Sequence, residues 1–248
     1  MGRLEGAHLS SALGAEAPRH RAALALALSG GKPYPWPLLD FNVVDLLTVF
    51  LVLLLSLTVH ESAHAWTADR LGDPTARALG RISMNPLVHV DPVGTVVLPL
   101  VAFASGIPVI GWAKPVPVNT ARLGRGRRDF VLVAAAGPAS NIALAILAST
   151  AMGALQTSNV GGAEPVLYRF VSLAFTVNLL LAVFNMIPVP PLDGGNVIGG
   201  LLPLRLATLF DRLLRPYGFL ILYALILTGA LWTIIGPPYL FLTRLLGP

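Results

Sequence analysis

The stretch that most limits what this chain can become is an apolar run that ends in polar, ionisable side chains. Residues 51–59 read LVLLLSLTV and pass without a break into His60-Glu61-Ser62-Ala63-His64. A run this hydrophobic can cross a bilayer, and a single segment satisfies its own backbone there only as a helix. On that helix His60 and His64 stand one turn apart on one face, so their imidazole nitrogens can converge on one Zn²⁺ at about 2.0–2.1 Å. Glu61 is turned aside by one residue. That offset puts its carboxylate beside such a metal rather than on it, in reach of a proton from water that the metal acidifies. A carboxylate at the centre of a membrane helix costs about 2.5–3.5 kcal/mol on insertion scales, so Glu61 needs a compensating partner, and a divalent cation is one.

The remaining sequence is of the same kind. Of 248 residues, 55% are hydrophobic and 12% charged, against about 25% charged in soluble proteins; the mean hydropathy is +0.73. This composition predicts an integral membrane protein with one membrane domain, residues 41–248, behind a flexible N-terminal extension, residues 1–40. The chain has no cysteine, which excludes disulfides and any thiolate metal site and leaves His, carboxylate, amide and water as ligands. The net charge of +5 resides mainly in loop arginines. In a membrane protein such charge sets orientation, so lipid rather than nucleic acid is the expected partner.

The pattern along the chain predicts an α class fold. It is a polytopic membrane helical bundle with about four spanning helices, a re-entrant or interfacial hairpin, and a short β element near Ala78–Met84. The first span starts near Asn42 and stops at Gly72-Asp73-Pro74, a glycine-then-proline ending common to helices. Phe130–Leu155 forms another, with a kink expected at Pro138. Tyr168–Ile187 and Gly218–Ile235 complete the set. Asn141 is expected to hydrogen-bond between helices, His89 and Asp91 to hold a loop, and Arg122–Arg128 to form a solvated, lipid-facing loop.

A third donor for a His60–His64 metal must reach the same depth from the same side. Asp193 is the candidate, because it lies just past the helix ending at Ile187, as the histidines lie toward the end of theirs. If Gly94–Trp112 crossed the bilayer, these two helix ends would face opposite compartments. The interruptions Pro99, Gly106 and Pro108 favour a hairpin instead, since irregular backbone at membrane depth is tolerated where it packs on protein. With the hairpin, Arg70, Arg77, Arg81, Lys114, Arg122, Arg125, Arg127, Arg128, Arg205, Arg212 and Arg215 share one side. The positive-inside rule makes that side cytoplasmic, although the N-terminal Arg3, Arg19, Arg21 and Lys32 do not fit it.

HESAH inside a membrane helix, followed by NMIPVPPLDGG, resembles the site-2 protease family of intramembrane zinc metalloproteases. NPLVHVDPVGT, GWAKPVPVN and AGPASN are similar to its small prokaryotic branch, which carries no PDZ or nucleotide-sensing domain. The resemblance covers roughly residues 43–203. It implies one zinc ion per chain held by His60, His64 and Asp193, with Glu61 as general base. It further implies that Asn185 steadies substrate or oxyanion, and that the substrate is a transmembrane protein cut within or near its span. The cell membrane is then the expected location, with a multi-pass topology and the site toward the cytoplasm. Two other readings stay open, an ion-coupled transporter using intramembrane Glu61, Asp193 and His and a catalytically inactive zinc-binding scaffold.

Overall fold

The computed structural model describes residues 43–105, 111–157 and 164–248. The expected extension, residues 1–40, lies outside the described residues. Helix α1 spans Val43–Arg70. Leu47, Leu51 and Leu55 are exposed along one side of it, whereas Val52, Ser56, His60, His64 and Ala68 are buried along another. Steps of four residues keep each set on one face. The leucines thus meet lipid, and the histidines point into the protein.

After α1 comes a single helical turn, α2, Thr75–Ala78, and no strand occurs among the described residues. The β element expected near Ala78–Met84 is therefore corrected to turns and bends. Arg81 explains the folding of this loop, since its buried guanidinium donates to the carbonyls of Val88, Lys114 and Pro115 and draws three loop segments together. Ser83 likewise gives its carbonyl to Ser62 and His89 rather than to a sheet ladder.

A π-helical turn, Pro92–Val97, leads into α3, Leu98–Ser105. Residues 106–110 lie outside the described residues, yet the two ends of the segment meet. Trp112 N–H donates to the Gly94 carbonyl at 3.2 Å, and the Thr95 hydroxyl donates to the Trp112 carbonyl at 2.8 Å. The chain thus leaves and returns on one side, as the hairpin reading requires. Asp91 caps its entrance by accepting from Val93 and Gly94.

Helix α4, Arg127–Thr157, is the central element. It packs against α1, against α5 (Glu164–Asn185), and against α6 (Asp193–Leu201). Ala145 and Ala148 of α4 are small enough to let Phe175 and Leu179 of α5 close over Met152, the close backbone approach typical of membrane helix pairs. Pro138 sits within α4 without ending it.

Then follow α7 (Leu204–Leu214), α8 (Gly218–Leu227) and α9 (Ala230–Leu246). The last span expected over Gly218–Ile235 is not one helix. The chain breaks at Gly229, whose φ of 73° is left-handed and open chiefly to glycine, and the helices on either side are bent by 83°. Among the described residues three helices, Leu46–Arg70, Arg127–Thr157 and Val166–Asn185, are long and apolar enough to cross a membrane, and the bent pair makes a fourth if it counts as one span. The result is a multi-helix membrane bundle.

Candidate metal centre

The buried stripe of α1 delivers His60 and His64 to the middle of the bundle, where α4 fixes both rings. His60 Nδ1 lies 2.6 Å from Asn141 Oδ1. His64 Nδ1 lies 2.7 Å from the Val133 carbonyl, in the turn just before Pro138. A carbonyl can only accept, so His64 Nδ1 carries a hydrogen, and in the neutral ring Nε2 then presents a lone pair. The two Nε2 atoms are 3.0 Å apart.

Asp193 opens α6 and brings a carboxylate to the same point. Its Oδ2 is 3.1 Å from His60 Nε2, and its Oδ1 is 3.4 Å from His64 Nε2. One ligand atom from each residue lies within 4.8 Å of the others. Oδ2 is buried without a hydrogen-bond donor. With both rings neutral, two imidazole nitrogens and a carboxylate turn their lone pairs toward one small volume, an arrangement that fits a cation. Gly137 of α4 forms the floor. A Cβ there would lie 2.5 Å from His60 Nε2 and closer still to His64 Nε2, so only the bare glycine backbone allows the rings to converge.

Glu61 is half-buried beside this group. Val116 N–H donates to its Oε2 at 3.2 Å. Val116 belongs to the extended segment 111–119, which prolines at 115 and 117 keep from coiling. Arg81 holds this segment through the Lys114 and Pro115 carbonyls, and Lys114 N–H donates to the His89 carbonyl at 2.9 Å. His89, buried, also lies 3.2 Å from Ser62 Oγ, so it joins the loop to the helix that carries the site.

Of the residues expected from sequence, His60, His64 and Asp193 come together and Glu61 stands next to them. Asn185 turns back on its own helix, donating to the Leu181 carbonyl at 2.9 Å. Sequence reasoning missed three participants: Gly137, the Val116 N–H, and the partnership of Asn141 with His60. Gly137 and Asn141 are four residues apart on a spanning helix, so a shared face was legible, but which helix that face meets was not. Among the basic loop residues Arg122, Arg125 and Arg128 are exposed, whereas Arg127 donates to the carbonyls of Gly199 and Leu202 and fastens α4 to the end of α6.

A membrane bundle that buries a His–His–carboxylate group next to a glutamate defines a class of metal-dependent membrane protein. The family model described as Peptidase family M50 matches residues 149–228. The chain is 35% identical over 198 residues to YwhC of Bacillus subtilis (strain 168), a zinc metalloprotease by name alone, covering 79% of this chain and 84% of that one. It is 32% identical over 182 residues to Rip2 of Mycolicibacterium smegmatis, another zinc metalloprotease by name, covering 72% of this chain and 66% of that one. A match to Rip3 of Mycobacterium tuberculosis, also so named, is 32% identical over 150 residues, or 59% of this chain and 29% of that one. No solved structure matches the chain. The chain belongs to peptidase family M50, the site-2 protease family.

Proposed function

We propose that this protein is an intramembrane zinc metalloprotease that hydrolyses peptide bonds within or near the spans of transmembrane proteins. The observation that carries this reading is the convergence of Asp193 of α6 with His60 and His64 beside Glu61, the last three on α1, whose other face is lined by exposed leucines. In this reading His60 Nε2, His64 Nε2 and the Asp193 carboxylate hold one zinc ion. The chemistry that zinc supplies in such a site is Lewis acidity, acidifying water to a pKa near 7 and polarising a carbonyl. Glu61 takes the proton of the attacking water and returns it to the leaving amine. The Val116 N–H engages one carboxylate oxygen of Glu61, which aims the other at the water. Asn185 steadies the oxyanion once substrate draws its amide from the Leu181 carbonyl. A substrate helix hides its carbonyls in internal hydrogen bonds, so residues that weaken it near the cut favour cleavage.

The location that goes with this activity is the cell membrane, with the site toward the cytoplasm. The basic residues around the loop 72–81 and the loop 119–128 support that orientation through the positive-inside rule.

Purified Glu61→Gln protein in liposomes with a model transmembrane substrate tests the proposal. The protease reading expects full zinc content, no cleavage, and loss of wild-type cleavage on chelation. Ion flux through the wild type without cleavage would point to transport instead. Absence of cleavage in both forms, with zinc retained, would leave a scaffold.

A further inference from the structure

Behind His60 runs a chain of side-chain amides that crosses two helices and ends on a main-chain carbonyl. Asn178 of α5 donates from Nδ2 to the Ala174 carbonyl at 2.8 Å. That carbonyl can only accept, so the orientation of the Asn178 amide is fixed from outside the site. Nδ2 also donates to Ser56 Oγ of α1 at 2.9 Å. The atom of Asn178 that faces α4 is therefore its oxygen, and it accepts from Asn141 Nδ2 at 2.8 Å. The orientation of Asn141 follows in turn. Its oxygen faces His60 Nδ1 at 2.6 Å, an acceptor can receive only from an N–H, and so Nδ1 holds the hydrogen and Nε2 keeps its lone pair. Asn141, Asn178 and Ser56 are all buried, away from water that could compete for these bonds.

We infer that Asn178 and Asn141 are positioning residues that fix the tautomer of His60 by passing the direction of the Ala174 carbonyl through two amides. Asn141 touches His60 only at Nδ1 and Asn178 does not reach the centre, so neither offers a ligand atom, and the inference rests on the metal reading of that centre. Cut from Asn178, Asn141 can rotate and present its NH₂ to Nδ1. That rotation stabilises the tautomer with hydrogen on Nε2, where it blocks ligation. His64 needs no such relay, because a backbone carbonyl orients it directly.

The test is a double-mutant cycle read by zinc affinity in the full-length protein, using chelator competition in detergent. Asn178→Leu in the wild-type background should weaken zinc binding about 10–100-fold, the range usual when a ligand's direct hydrogen-bond partner is lost, because it frees Asn141 to turn. In Asn141→Asp both atoms facing outward are oxygens, so rotation no longer matters. There Asn178 Oδ1 would face a second acceptor instead of a donor, so Asn178→Leu should lower affinity by no more than about twofold, the usual error of additivity, and any relief of that contact raises it. Equal losses in the two backgrounds would mean that Asn178 acts by packing alone, which overturns the inference. Imidazole ¹⁵N signals of His60 in metal-free protein give a second reading: hydrogen on Nδ1 in the wild type and a gain of the Nε2–H form in Asn178→Leu support it, and an unchanged tautomer refutes it. A wild type that binds no zinc overturns the metal reading itself, a failure distinct from equal losses in protein that does bind.

Discussion

Replacing Gly137 by alanine adds one carbon where the site has no room for it. The new Cβ would lie 2.5 Å from His60 Nε2, against 3.4 Å for ordinary contact, so something must give by about 0.9 Å. The rings cannot simply retreat, because His60 and His64 are held from behind at 2.6 and 2.7 Å. Zinc ligands must sit within about 0.2 Å of their proper distances, so the metal is the component expected to be lost. Overpacking of this size costs about 1–3 kcal/mol, and 2.7 kcal/mol at the upper part of that range is about a hundredfold in affinity. Gly137→Ala should therefore bind zinc about a hundredfold more weakly in chelator competition and lose cleavage in proportion. Its metal-free fold should survive with a lower melting temperature, because the crowding is partly offset by alanine being the better helix former by about 1 kcal/mol. Gly153→Ala in the same helix is the control, since a Cβ there meets nothing within 4 Å, and it should leave zinc affinity unchanged. Wild-type affinity in Gly137→Ala would refute the crowded floor on which the site geometry rests.

Two more outcomes follow from the loops around the site. Val116→Pro removes the N–H that donates to Glu61 while keeping the extended backbone its neighbours impose; cleavage should fall about 10–100-fold, the worth of one hydrogen bond to a charged group, with zinc content unchanged, and an unaltered rate would mean that Glu61 is oriented by something else. Burial alone would push the Asp73 carboxyl up, but hydrogen bonds from Thr75 and Asn119 and the charge of Arg122 hold it below the usual carboxylate range. Its stabilising contribution is thus complete above about pH 4, the unfolded value, and disappears as pH falls through the lower folded value. Asp73→Asn should lower thermal stability at neutral pH, and the gap to wild type should close on acidification; a gap independent of pH would contradict this.

Much of this arrangement was legible in sequence because a few residues are costly in a membrane. His60, Glu61 and His64 in an apolar run forced the question of what compensates them; Asp193 answered by its place just past a helix end, and the parity of crossings then favoured the hairpin. The errors came where local pattern does not decide. Ala78–Met84 is extended enough to suggest a strand, but the buried Arg81 donates its hydrogen bonds to carbonyls of other loops. Gly218–Ile235 is apolar throughout, and only the left-handed backbone at Gly229 reveals the break. Asn141 read as glue between helices, which is half of what it does: one end of its amide does join α4 to α5, while the other end meets His60. That second contact depends on the rotation of α4 against α1, which the residues of neither helix specify alone.

The lipid-facing leucines and the inward histidines of α1 belong to one uninterrupted screw. Depth and aim are therefore a single quantity in this helix: sliding the rod along its axis without changing its contacts with α4 also turns it. Deleting one residue between Val52 and His60 would swing the imidazoles by about 100°, out of the bundle and into hydrocarbon, though every side chain in the motif remained. In evolution such a helix can be lengthened or shortened freely only beyond its ends, and changes between those two stripes have to come in whole turns.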